Sequence, residues 1–196
     1  MKKGLLIIIS GPSGVGKGAV RRTLMEDKSL DLAYSISMTT RKPRRTETDG
    51  VDYFFVSEEE FNRHVMNGDF LEHASFVGNQ YGTPKAYVDE LRAKGENVLL
   101  EIEVQGAKQV LAKCKETGDD LVSIFLIPPS MAALEKRIRK RRTEEEEVIQ
   151  ARLRKARSEL GERTNYKYIV LNDIVQRAAD EIKDIIRKEI ALHSED

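Results

Sequence analysis

The amino-acid sequence predicts an α/β fold, a doubly wound parallel sheet flanked by helices and interrupted by one α+β insertion. Three observations lead there. The runs Leu5 to Ser10, Val98 to Val104 and Leu121 to Ile127 are mainly apolar without regular alternation, the pattern of parallel strands buried on both faces. Each is followed by a stretch of helical periodicity, as βα units require. From about Ser37 to Pro84 the pattern changes to aromatic and alternating strand candidates around one short helix.

In chain order, the first strand opens directly after Met1-Lys2-Lys3-Gly4. A basic start before an apolar run has the look of a leader segment, but the run is too short and ends in a glycine-rich turn, so a buried strand is expected. A helix follows from Lys17 to Asp27. Within the insertion, Tyr53 to Val56 and Phe70 to Phe76 are the strand candidates. Ser57-Glu58-Glu59-Glu60 fits a capping box at the start of the short helix, and Gly68 fits its C-terminal stop. The strand at Val98 feeds a helix from Gly106 to Glu116, and the strand at Leu121 feeds one from Met131 to Arg141. The charged segment Arg141 to Glu147 joins two helices. A weaker strand, Tyr168 to Leu171, precedes the last helix, Asp173 to Ala191, where Val175, Ala178, Ile182, Ile186 and Ile190 share one apolar face. No repeat or linker divides the 196 residues, which suit a single domain with its core in 1–36 and 85–196 and its insertion at about 37–84.

Composition narrows the function classes. Lys plus Arg number 33 and Asp plus Glu 33, a balance that argues against an indiscriminate binder of nucleic acid or acidic membranes. Hydrophobic residues make up 40%, enough to build a core. The single cysteine, Cys114, has no internal disulfide partner, and no apolar run approaches membrane-spanning length. A cytoplasmic protein is expected.

The strongest chemical signal is Gly11-Pro12-Ser13-Gly14-Val15-Gly16-Lys17-Gly18, a G-x-x-x-x-G-K phosphate-binding loop between a buried strand and a helix. The glycines let backbone N–H groups turn inward around phosphate oxygens, and the helix N-terminus adds positive potential. Lys17 supplies a point charge for the β- and γ-phosphates. The position after the lysine, Ser or Thr in most such loops, is Gly18 here, and Ala19 follows; neither offers an oxygen to Mg²⁺. The expectation is a metal without a direct protein ligand, held by phosphate oxygens and water with acidic groups outside them.

Further stretches are more specific. Ser35-Ile36-Ser37-Met38-Thr39-Thr40-Arg41-Lys42-Pro43-Arg44, Asp49-Gly50-Val51-Asp52-Tyr53-Phe54-Phe55, Gly68-Asp69-Phe70-Leu71-Glu72, Gly78-Asn79-Gln80-Tyr81-Gly82-Thr83 and Glu101-Ile102-Glu103-Val104-Gln105-Gly106 stand in this order. Together with the phosphate loop they resemble the guanylate kinases of bacterial type over nearly the whole chain. The resemblance implies a nucleoside monophosphate kinase fold whose insertion binds GMP and whose helical lid spans about 137–157. It implies that Arg41, Arg44, Tyr53 and Tyr81 grip the GMP phosphate, in keeping with the bidentate fit of guanidinium to phosphate. It implies that Ser37, Glu72 and Thr83 read the base. Guanine presents N1–H and N2–H₂ as adjacent donors and O6 as an acceptor, so one carboxylate accepts from both nitrogens while a hydroxyl donates to O6. Adenine lacks that donor pair and leaves the carboxylate desolvated and poorly paired.

Glu101 and Glu103 end a strand where phosphate-loop proteins place acids near Mg²⁺. Read as i, i+2 on one strand, they face the same side and call for a cationic group opposite. They are assigned jointly to the metal and acceptor region; solvent-facing glutamates at a strand end are the alternative. By resemblance, Arg137, Arg141 and Arg152 are lid arginines that close over the transferring phosphoryl, with Lys17 from the core and Arg41 from the insertion as the other catalytic residues. Asn172 matches a position near the donor adenine and serves equally well as a helix cap. The implied activity is ATP-dependent phosphorylation of GMP and dGMP, with Mg²⁺ as cofactor, ATP and GMP or dGMP as the small-molecule partners, no nucleic acid or membrane partner, and monomer or homodimer both open. The alternative is a non-catalytic guanylate-kinase-like module for phosphorylated peptides; retention of Lys17 stands against it.

Overall fold

The computed structural model describes residues 2–76, 78–140 and 145–195. Its centre is a sheet of five parallel strands, β1 (Leu6–Ser10), β2 (Leu32–Tyr34), β7 (Asn97–Glu101), β8 (Leu121–Ile127) and β9 (Tyr168–Leu171), in the order β2-β7-β1-β8-β9. β1 is the middle strand because it is apolar on both faces. Leu5, Ile7 and Ile9 point into one core layer and Leu6 and Ile8 into the other, each at most 2% exposed.

The first layer is closed by α1 (Lys17–Met25), through Val20 and Leu24, and by α7 (Val175–Glu195), through Ala178, Ala179, Ile182 and Ile186. The predicted apolar face of the last helix is therefore the one that packs. The opposite layer is closed by α3 (Lys85–Ala93) and α4 (Val104–Thr117), through Val88, Ala107 and Val110, with Phe125 and Tyr166 edge-on at 4.9 Å. α5 (Met131–Arg139) and α6 (Glu146–Leu160) form a third apolar contact through Leu134, Ile138, Ile149 and Leu153.

The insertion folds as a second sheet: β3 (Met38–Thr39), β4 (Phe54–Phe55), β5 (Phe70–Phe76) and β6 (Asn79–Pro84), in the order β4-β3-β6-β5. Its helix α2 (Glu58–Asn67) starts at Ser57, whose Oγ accepts from Glu60 N at 3.1 Å, and stops at Gly68 in the left-handed region (φ 72°). Phe61 stacks on Phe70 at 4.7 Å and seals α2 to the sheet.

Several boundaries differ from the sequence expectation. β2, β6 and α3 have no counterpart in it: β2 is only three residues long, β6 carries few apolar residues, and α3 is a short helix. The strand expected to reach Val104 ends at Glu101: Ile102 N still donates to Ile9 O, but Glu103 takes an extended N-cap conformation (φ −69°, ψ 158°) and opens α4. Among the described residues no helix is long and apolar enough to cross a membrane.

Candidate active site

The phosphate loop links β1 to α1 with Gly11, Gly14 and Gly16 at φ 145°, 87° and 104°, conformations that glycine adopts without strain. A Cβ on Gly11 would meet Leu126 O at 2.6 Å, and one on Gly16 would meet Asn172 Nδ2 at 2.6 Å. Three side chains brace the loop from behind. Arg137 on α5 donates to Val15 O (3.0 Å) and Asn172 O (2.8 Å), Asn172 Nδ2 donates to Val15 O (2.8 Å), and Arg152 on α6 donates to Ser13 Oγ (2.8 Å). Pro12 and Val15 are buried, so the loop is a rigid seat. Lys17, 8% exposed, donates to Gly11 O at 2.8 Å and lies 3.4 Å from Glu103 Oε1.

These contacts give the expected lid and donor-base residues different surroundings. Arg137 is engaged with backbone carbonyls, and Asn172, 1% exposed, holds the loop instead of capping a helix. Arg152, also expected in the lid, reaches the loop at Ser13 Oγ. Arg141 lies outside the described residues.

Beside the loop, between the two sheets, opens a cavity of about 360 Å³. Lys17, Gly18, Glu101 and Glu103 line its core side, and Ser37, Arg41, Arg44, Tyr53, Glu72 and Tyr81 its insertion side. Every expected acceptor-site residue thus reaches one space except Thr83, which stands directly behind Glu72. Thr83 Oγ1 donates to Glu72 Oε1 at 2.6 Å, with the two residues 1% and 5% exposed. β5 and β6 bring them together because Glu72 and Thr83 are antiparallel partners, just past an irregularity between Phe70 and Glu72. Burial pushes the Glu72 carboxyl above its ordinary pKa of 4.5, against the pull of the Thr83 hydroxyl.

Arg41 is oriented before any ligand arrives. Its Nη2 donates to Glu47 Oε1 at 2.8 Å and its Nη1 to Lys42 O at 2.9 Å, while the guanidinium lies 5.3 Å from the Tyr53 ring centroid. Tyr53 meets Tyr81 edge-on at 6.1 Å. The Glu47 pairing raises the Arg41 pKa and lowers that of Glu47, so both stay charged. Arg44 stands at the mouth with its side chain 74% exposed, 3.9 Å from Glu47.

Glu101 and Glu103 do not share a strand face, since the strand ends between them. Each instead has its own cation: Arg21 Nε donates to Glu101 Oε2 at 2.7 Å, and Lys17 faces Glu103. Sequence reasoning missed Arg21, Tyr34 and Glu47. Arg21 is i+4 from Lys17 on α1 and hence on the same helix face, a signal that was present. Its guanidinium lies 4.3 Å from the Tyr34 ring centroid. Nothing local marked Glu47.

The surroundings of Gly18 fit a hydrated divalent cation. A Cβ there would sit 3.5 and 3.8 Å from the two Glu101 carboxylate oxygens and 3.7 Å from Arg22 Nη1, while Glu103 Oε2, in the same cavity, is buried with no hydrogen-bond donor among the described residues. One carboxylate, beside a guanidinium, therefore stands at the spot where other phosphate loops carry a hydroxyl, with a second carboxylate in the same cavity. Chemically, the site combines an anion seat, a guanidinium and phenol grip, and a buried carboxylate with its hydroxyl.

A family model described as "Guanylate kinase" matches residues 3–189. A guanylate kinase of Mycoplasma mycoides is 54% identical over 189 residues, covering 96% of this chain and 62% of that protein, so the chain spans under two thirds of that relative's length. A guanylate kinase of Latilactobacillus sakei is 51% identical over 187 residues, covering 95% of this chain and 90% of the relative. Among solved structures, the guanylate kinase of Anaplasma phagocytophilum superposes with a TM-score of 0.75 at 34% identity, covering 96% of this chain and 87% of that one. Phosphate loop, acceptor cavity and these similarities agree, and the chain belongs to the guanylate kinase family.

Proposed function

We propose that the chain transfers the γ-phosphoryl group of ATP to the phosphate of GMP, and of dGMP, giving ADP and the nucleoside diphosphate. The observation that carries this reading is the buried Glu72–Thr83 pair, which faces the same cavity as Lys17 and Arg41. The carboxylate accepts from guanine N1–H and N2–H₂, and Ser37, on the same insertion side of the cavity, donates to O6. Arg41, Arg44, Tyr53 and Tyr81 hold the acceptor phosphate with one oxygen directed at the γ-phosphorus. That oxygen forms the new P–O bond as the bond to the β-phosphate oxygen breaks, and the electron pair leaves with ADP. The acceptor oxygen is already anionic, so no side chain needs to act as a strong base; positioning and positive charge are what the protein supplies. Lys17 and the loop N–H groups hold the donor phosphates. Arg152, with Arg141, balances charge on the transferring group, while Arg137 acts through the loop it braces.

Mg²⁺, when bound with ATP, neutralises β- and γ-phosphate charge. Glu101 and Glu103 would hold it through water. Its substrates are cellular nucleotides of purine metabolism, and the cytoplasm is where such an enzyme would act.

Initial rates of ADP formation with GMP, dGMP, AMP, UMP and CMP test the assignment. GMP and dGMP are expected to dominate, and preferential turnover of AMP would overturn it. ATP titration by calorimetry separates the enzyme from a phosphopeptide-binding module, which would take up none.

A further inference from the structure

α4 and β5 are joined by a row of contacts that the catalytic reading leaves unexplained. Lys113 Nζ donates to Phe70 O and Leu71 O, both at 2.8 Å. One turn earlier, Gln109 spans the His73 backbone, accepting from its N–H at 3.1 Å and donating to its C=O at 2.8 Å. One turn earlier still stands Gly106, buried, in the first turn of the helix. Residues 106, 109 and 113 lie on one helix face, at the spacing that packs along a single strand. The row thus runs from Phe70 to the end of the acceptor cavity.

At Gly106 the approach is closest. A Cβ on this residue would lie 2.3 Å from Glu72 Oε2, 2.9 Å from its Cδ and 3.3 Å from its Cγ. Glycine is the poorest helix former after proline, so a helix gains nothing from it here by local preference. Its backbone is helical, without the positive φ that would demand glycine. What glycine provides is room. The Glu72 side chain lies flat on the start of α4, where the positive end of the helix dipole meets a carboxylate, while Thr83 holds its other oxygen at 2.6 Å.

We infer that Gly106 is a specificity-positioning residue: by lacking a Cβ it sets how deep the Glu72 carboxylate sits, and hence whether both its oxygens can meet the N1–H and N2–H₂ edge of a guanine base. This rests on the reading of Glu72 as the base-reading group. A methyl group at position 106 forces the carboxylate to withdraw by about 1 Å to reach ordinary van der Waals contact. Displacements of that size in a positioned site cost on the order of 100-fold.

The test is Gly106→Ala, alone and combined with Glu72→Ala, in the full chain. For Gly106→Ala we expect KM for GMP to rise about 100-fold. KM for ATP and the affinity for ATP by calorimetry stay within about twofold of wild type, because the phosphate seat lies elsewhere. In the Glu72→Ala background the methyl has its space, so adding Gly106→Ala produces no further loss in GMP kinetics and no further fall in Tm. If Gly106→Ala alone does not fold, recovery of folding in the double variant supports the clash with Glu72. Wild-type GMP kinetics in Gly106→Ala, an equal rise in both KM values, additive losses in the double variant, or a double variant as unstable as the single one each overturns the inference. If Glu72→Ala itself leaves GMP selection intact, the base-reading role falls, and this inference with it; that outcome is visible in the single Glu72 variant before Gly106 is touched.

Discussion

Replacing Glu72 by Gln changes a single carboxylate oxygen to an NH₂ group and leaves the shape of the side chain nearly intact. The Thr83 hydroxyl keeps its acceptor, since the carboxamide oxygen takes the place of Oε1 at 2.6 Å. The other position now presents a donor to a guanine donor. The lost charge-assisted bond is worth about 1.5–3 kcal/mol and the buried donor left facing another donor costs about 1–3 kcal/mol more. The sum, about 2.5–6 kcal/mol, corresponds to roughly a 10²- to 10⁴-fold fall in kcat/KM for GMP. Stability moves the other way. Burial raises the folded pKa of Glu72 above its unfolded value of 4.5, so ionising it in the folded protein carries a cost. That cost is absent below about pH 4.5 and grows as pH rises through the folded pKa. Gln carries none, so the variant melts higher than wild type at pH 7, with a gain that disappears toward about pH 4. Initial rates against GMP at saturating ATP, and melting curves across this pH range, measure both effects. A loss of less than about tenfold in kcat/KM, or a variant less stable than wild type at neutral pH, would refute the reasoning.

Other substitutions separate the parts of the site. Gly18→Ala has room, its nearest contact being Glu101 Oε1 at 3.5 Å, and is expected to stabilise α1 by about 0.5–1 kcal/mol, seen as a Tm higher by roughly 1–4 °C. Gly18→Ser should leave the Mg²⁺ concentration needed for half-maximal rate unchanged; a marked fall would show that a direct hydroxyl ligand is accepted here and count against the water-mediated arrangement. Arg41→Lys keeps the charge but loses the fork that bonds Glu47 Oε1 at 2.8 Å, so KM for GMP should rise roughly 10- to 100-fold while KM for ATP holds. Arg137→Ala releases the carbonyls of Val15 and Asn172, at 3.0 and 2.8 Å. Melting should show a loss of about 1–3 kcal/mol, and calorimetry weaker ATP binding; unchanged stability would mean that Arg137 does not brace the loop.

Much of this site was written locally. A strand, three glycines, a lysine and a helix are consecutive in the chain, so the phosphate loop and the position of Lys17 follow from short-range stereochemistry. The apolar faces of β1 and α7 were readable for the same reason: burial on both faces and burial on one face leave different periodicities. The Ser57 cap and the Gly68 stop were also local. β2, β6 and α3 were not, because their formation depends on neighbouring strands and packed layers more than on their own propensity.

The residues that touch across the molecule were decided by tertiary structure. Arg137 and Asn172 both reach Val15 from positions more than 100 residues away, and no spacing rule connects them. Glu101 and Glu103 looked like a pair on one strand until the chain turned into α4 between them and gave each a separate cation. Gly106 is the clearest case: its residue type is visible in the sequence, but its purpose exists only because β5 lays Glu72 against the first turn of α4. By itself the sequence determined the phosphate loop, the parallel core strands and the residue types that grip a nucleotide. Only the tertiary structure decided which of those side chains meet, since long-range contacts are set by packing whole elements together rather than by neighbours along the chain.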